Sequence, residues 1–253
     1  MSVPYTLWDP TGNRTILVSA PVEVSRQPAV AAALMRAEPT AEQVGFLSAD
    51  GLSLRMAGGE FCGNASMSAA AAYCRAHGLE RADVPLTVSG ADGTVTVTVS
   101  ALENGWRGSV EMPEPTAIRE ESLTLLRRTV LLPVVHFPGI SHVIVSSPMT
   151  PALAEEAAPL WCRALHADAL GILLLNEAEH RMVPLVYVPA ADTLVWEHSC
   201  ASGTAAVGAY LAARDGKKIR ISLQEPGGML TVQAVPGEKP RLTGTVRLEK
   251  AAE

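Results

Sequence analysis

The 253-residue chain is 48% hydrophobic and 18% charged, with a formal net charge of −6. It is long enough to bury a core as one large domain or two ordinary ones, and its acidic balance gives nucleic acid or an anionic membrane no handle. The opening Met1-Ser2-Val3-Pro4-Tyr5-Thr6 lacks the basic and apolar regions of a signal peptide, and apolar runs such as residues 183–189 are too short to span a bilayer, so a cytoplasmic protein is expected.

Residues 5–8 and 15–18 read as strands around the turn Asp9-Pro10-Thr11-Gly12-Asn13. Residues 28–37 have helical periodicity, with Pro28 in the first turn. Glu42-Gln43-Val44-Gly45-Phe46-Leu47 ends in a strand and sets two polar side chains at its mouth. Residues 52–56 alternate and lead into Gly58-Gly59-Glu60-Phe61-Cys62-Gly63-Asn64-Ala65-Ser66, followed by an alanine-rich helix that stops at Gly78. A hairpin over 86–97 and a strand over 106–112 form a meander, with residues 94–100 alternating Thr and Val. Pro113-Glu114-Pro115 marks a boundary. Beyond it come strands over 129–137, 142–146, 171–176, 182–188 and 194–196, with a helix over 151–165. Trp196-Glu197-His198-Ser199-Cys200-Ala201-Ser202-Gly203-Thr204 then opens a second alanine-rich helix, stopped at Gly216. A hairpin over 221–232, a break at 236–240 and a strand over 242–248 finish the chain.

Cysteine, helix, glycine stop and hairpin therefore recur in one order. This repetition predicts a duplicated α+β architecture of two pseudo-symmetric domains, residues 1–115 and 116–240, each a curled, mostly antiparallel sheet around a central helix. Two such halves facing each other would bring Cys62 and Cys200 to one interdomain cleft.

The chemistry follows from that placement. A thiol at a helix N-terminus meets unpaired N–H groups and the positive end of the macrodipole, which favour thiolate. The N–H groups of turns such as Gly63-Asn64 and Ala201-Ser202-Gly203 suit a carboxylate. One sulfur could remove an α-proton while the other returns a proton to the opposite face, with no metal or cofactor. The four lysines, Lys217, Lys218, Lys239 and Lys250, occupy no glycine-framed site, which argues against pyridoxal phosphate. Other readings stay open at this point: structural cysteines, a Cys62–Cys200 disulfide, and a cysteine hydrolase using His142 or His198 as base. A His198-Cys200 metal site lacks nearby partners.

These motifs resemble the diaminopimelate epimerase superfamily of cofactor-independent amino-acid racemases, and the likeness covers nearly the whole chain. It takes in Asn13, Gln43, Cys62-Gly63-Asn64-Ala65, Cys200-Ala201-Ser202-Gly203-Thr204, Pro226-Gly227-Gly228 and Thr243-Gly244. The resemblance implies Cys62 and Cys200 as the acid–base pair, a homodimer, and a last strand, residues 241–250, that returns to the first domain. Two departures disfavour diaminopimelate itself. The Glu-Arg pair of that family reads Ala191-Asp192 here, and its Gly-Asn-Pro-His turn reads Gly139-Ile140-Ser141-His142. The narrower resemblance is to the histidine racemases of staphylopine-type opine metallophore biosynthesis, carried by Glu42-Gln43-Val44-Gly45-Phe46, Tyr187-Val188-Pro189 and the two cysteine segments. It implies racemisation of free L-histidine to D-histidine, with Asn13, Glu42, Gln43, Gly63, Asn64, His142, Glu197, Ala201, Ser202 and Gly203 around the substrate. Asp192 is a further acidic candidate, set against a plain loop cap. Racemisation of another amino acid and non-catalytic amino-acid binding remain the alternatives.

Overall fold

Strands carry most of the structure, a computed structural model that describes residues 3–252. The architecture is mixed α/β and sheet-dominated, and the chain divides into two compact units, Met1–Glu111 with Leu242–Glu253, and Met112–Arg241.

In the first unit, β1 (Tyr5–Pro10) pairs antiparallel with β2 (Thr15–Val18). After helix α1 (Gln27–Ala37), β3 (Gln43–Leu47) lies parallel to β2 with Thr15 opposite Gln43. Next come β4 (Ser53–Met56), helix α2 (Gly63–Ala76) and the antiparallel meander β5 (Arg81–Val88), β6 (Thr94–Leu102) and β7 (Gly105–Glu111). Period-two alternation gives each strand two faces. Ile16, Val18, Val44 and Phe46 pack with Ala31 of α1, so Thr15, Leu17, Gln43 and Gly45 point to the other side. There α2 packs against β1, β2, β5, β6 and β7. Its sequence explains how it fits: Gly, Ala and Ser dominate, so the backbone can sit close to the surrounding strands while alanine sustains the helix.

In the second unit, β8 (Ala117–Leu125), β9 (Arg128–Phe137) and β10 (Ile140–Val145) form an antiparallel run. Helix α3 (Pro151–Ala164), capped by the Thr150 hydroxyl, leads to β11 (Leu170–Asn176), which is parallel to β10. β12 (Arg181–Val188) and β13 (Thr193–Trp196) follow, then helix α4 (Ala201–Asp215) and the hairpin β14 (Ile219–Glu225) and β15 (Gly228–Ala234). The sheet order is β15-β14-β12-β11-β10-β9-β8, with β13 also paired to β12. Val143, Val145, Leu170 and Ile172 belong to the core under α3, with Trp161 and Cys162. Their alternates, His142, Ile144, Gly171 and Leu173, therefore take the opposite face.

β16 (Arg241–Ala252) belongs to the first unit from Leu242 onward. It pairs with β7 on one side and antiparallel with β1 on the other, Trp8 opposite Leu248 and Tyr5 opposite Ala252. Among the described residues, the eight strands of that unit thus close on themselves and leave no free sheet edge. The strand over 117–125 was absent from the sequence expectation because its residues Arg119, Glu120 and Glu121 are polar and only Leu123 is fully buried. It is the edge strand of its sheet. No helix among the described residues is long and apolar enough to cross a membrane.

Candidate functional site

Cys62 is the N-cap of α2: its backbone is extended (φ −132°, ψ 114°) and its sulfur accepts from the Ala65 amide at 3.4 Å. Ser, Thr, Asp and Asn are the usual caps because their oxygens accept well. A sulfur in that role is a poorer cap, and its presence there points to chemistry. The neighbours arrive through the parallel register of β2 and β3. Because Thr15 lies opposite Gln43, the residues just ahead of the two strands, Asn13 and Glu42, come side by side. The Cys62 thiol donates to Gln43 Oε1 at 3.1 Å. Gln43 Nε2 donates to Asn13 Oδ1 at 2.5 Å and Thr15 Oγ1 at 2.8 Å. Asn13 Nδ2 donates to Glu42 Oε2 at 2.6 Å. A chain of hydrogen bonds thus runs one way from the sulfur to a carboxylate. Gly63 and Asn64, the first residues of α2, are buried.

Cys200 repeats the geometry at α4. It is the N-cap (φ −125°, ψ 104°), and its sulfur accepts from the Gly203 amide at 3.4 Å. Ser202 Oγ lies 3.5 Å from that sulfur and 3.0 Å from His142 Nε2. His142 has no exposed surface, and burial holds its pKa down to about 3, so the ring is neutral. Its Nδ1 is buried without a hydrogen-bond partner. Placing the ring proton on Nε2 puts the N–H where an acceptor exists. The Ser202 hydroxyl is then left to donate toward the sulfur. Gly171 makes room for this ring: a Cβ there would fall 2.1 Å from His142 Nδ1. Beneath the turn, Glu225 Oε2 accepts from the Cys200 amide at 2.7 Å, and its Oε1 accepts from the Thr204 hydroxyl. Glu225 is 2% exposed, and burial raises its pKa to about 8 against the lowering effect of those two donors. The Cys200 thiol is pushed well up, first by burial and then by the charges of Glu197 and Glu225.

The sequence-predicted residues thus fall into two local clusters. Asn13, Glu42, Gln43, Cys62, Gly63 and Asn64 surround the start of α2. His142, Glu197, Cys200, Ala201, Ser202 and Gly203 surround the start of α4. His142 reaches its cysteine through Ser202 and carries no exposed surface of its own. Asp192 is exposed and left-handed (φ 51°) at the end of a 3₁₀ turn, the conformation of a loop cap. None of the four cysteines is in a disulfide. Sequence reasoning missed Thr15, Gly171, Thr204 and Glu225. Thr15 was hidden inside a strand, and Glu225 sits at the end of a hairpin strand, where a charged residue passes for a solvated one.

The comparisons with known proteins bear on the same segments. A family model described as the histidine racemase CntK N-terminal domain matches residues 2–247. The histidine racemase of Staphylococcus aureus is 28% identical over 242 residues, covering 91% of this chain and 88% of that protein. The histidine racemase of Fusobacterium nucleatum is 32% identical over 232 residues, covering 88% of this chain and 86% of that one. Among solved structures, a hydroxyproline epimerase from Agrobacterium vitis with bound trans-4-hydroxy-L-proline superposes with a TM-score of 0.72 at 12% identity, over 99% of this chain and 91% of that one, a likeness of fold. Two N-cap cysteines in like surroundings, within a sequence matched almost end to end, place this chain in the histidine racemase family of isomerases.

Proposed function

We propose that the chain racemises free histidine, L to D and back, by a two-base mechanism in which Cys62 and Cys200 act from opposite faces of the α-carbon across a cleft between the two units. The observation that carries this reading is the pair of sulfurs held identically at helix N-termini. The substrate α-carboxylate lies against the first-turn amides of α2 and α4, where N–H groups and the helix dipoles favour an anion. As the Cα–H bond breaks, the electron pair left on carbon delocalises into the carboxylate, and those same donors stabilise the developing charge. In one direction the Cys62 thiolate takes the α-proton, and the Cys200 thiol gives its own proton to the opposite face. The products are the inverted amino acid, a Cys62 thiol and a Cys200 thiolate; the reverse reaction restores the start. Burial and neighbouring carboxylates favour Cys200 as the thiol of the resting enzyme. Glu42 and Glu197 supply acceptors for the substrate ammonium or imidazole N–H. The enzyme works in the cytoplasm as a homodimer, with no bound cofactor or metal, and the D-histidine feeds opine metallophore synthesis.

Incubating the protein in deuterated water with a panel of amino acids tests this reading. Histidine should exchange its α-proton and lose optical rotation. An exchange profile that favours a different amino acid, or none, would contradict it. Cys62→Ser and Cys200→Ser should each lower the rate by about 10²-fold or more, the usual worth of a positioned acid or base.

A further inference from the structure

The Cys200 turn rests on a carboxyl group that the proposed reaction does not itself use. Glu225, the last residue of β14, has one oxygen on the Cys200 amide and the other on the Thr204 hydroxyl. It therefore spans the N-cap and the fourth residue of α4 from beneath, and Pro226 follows it directly. The next amide but one, Gly227 N–H, donates to His198 O at 2.7 Å, so the segment just after the carboxyl is also tied to the loop that leads into Cys200. A buried carboxyl at this position is expensive to keep. A threonine and an amide could have been satisfied by a neutral side chain such as glutamine. The retained acid needs a reason.

We propose that Glu225 is the positioning residue of the second half-site: it fixes the Cys200 turn, and once ionised its charge competes with a thiolate on Cys200, so that this sulfur holds its proton to higher pH and serves as the proton donor of the pair. The charged and titratable groups facing that sulfur come from three elements. Glu197 lies on the approach to α4, Glu225 lies on β14, and neutral His142 lies on β10 behind Ser202. Both carboxylates oppose negative charge on sulfur, whereas Ser202 favours it. At neutral pH Glu225 already holds its own proton, so Cys200 can give its proton to the substrate while the buried site carries one negative charge; above about pH 8, where Glu225 ionises, a Cys200 thiolate would make two. The catalytic consequence rests on the two-cysteine reading; the thiol consequence does not.

The test is the pH dependence of Cys200 alkylation by iodoacetamide in the full-length protein, followed on the Cys200 peptide by mass spectrometry. Glu225→Gln keeps the shape, an acceptor for the Cys200 amide and a partner for Thr204, but removes the charge. The alkylation midpoint is expected to fall by about one pH unit, the scale of one nearby charge. Glu225→Asp keeps the charge and shortens the arm. Its midpoint is expected near wild type, while histidine α-proton exchange slows about tenfold because the turn has lost its support. An unchanged midpoint in Glu225→Gln, or equal midpoint shifts in Gln and Asp, would overturn the proposal, and the Asp variant decides alone if the Gln variant does not fold. Should wild-type protein exchange no amino acid while the Gln midpoint still falls, the racemase reading fails and the role of Glu225 stands.

Discussion

At the scale of single residues, the Cys200 half-site is built on buried groups whose protonation differs between folded and unfolded chains, so stability should report them. Folding holds the pKa of His142 near 3, against 6.5 when exposed. Between those values the unfolded chain binds a proton that the native protein does not. Stability therefore rises with pH through that window and is lost as pH falls below about 6.5. Glu225 acts in the other sense. The native protein keeps this proton up to about pH 8, whereas the unfolded chain releases it near 4.5. Stability accordingly falls as pH rises through that window, by at most about 1.4 kcal/mol per pH unit for one group. A series of thermal melts should show the optimum where the two windows overlap, between about pH 4.5 and 6.5. The decline from pH 6.5 to 8 should flatten in Glu225→Gln; a variant that declines as steeply as wild type would remove Glu225 as its source. None of this was legible in the sequence, where His142 read as a substrate contact and Glu225 was not singled out. Burial depends on which face of a strand meets which helix, and composition does not encode that.

At the scale of elements, much more was legible. The helices after Cys62 and Cys200, their glycine stops and the hairpins that follow announce themselves through small residues, left-handed glycines at Gly78 and Gly216, and alternation. What the sequence could not supply was register. The pairing of Thr15 with Gln43 gathers Asn13 and Glu42 beside Cys62, and the pairing of His142 with Gly171 lets an imidazole lie flat against a backbone. The second of these makes a sharp prediction. Gly171→Ala would drive a methyl group into a ring atom 2.1 Å away, with no open space on that buried face. Strain of this kind costs about 1–3 kcal/mol. We expect a lower melting temperature together with a loss of racemisation larger than the melt alone accounts for, because His142 is moved off Ser202. A variant as active and as stable as wild type would show that the ring can give way freely.

At the scale of the whole molecule, the sequence signalled a break near Pro113-Glu114-Pro115, and the observed units divide between Glu111 and Met112. The closing strand β16 is the feature that local patterning could not place, since a strand over 242–248 could have paired anywhere. It lies between β1 and β7 and buries Leu242 and Val246. Deleting residues 241–253 should expose two strand edges and remove about 1.5–3 kcal/mol for each of those two side chains. Hydrogen exchange should then show α2 losing protection while α3 and the strands beneath it keep theirs; equal protection of α2 in both proteins would mean the ring closes without β16. The same strand sets an order of events during synthesis. On the ribosome, the segment from Met112 to Arg241 emerges as one continuous stretch and can settle as soon as it is out, whereas the strands on either side of it must wait for each other. Cys200 can therefore be seated while Cys62 is still in an open sheet, and β16, translated after the whole of the second unit, is the strand that closes the wall around the first cysteine.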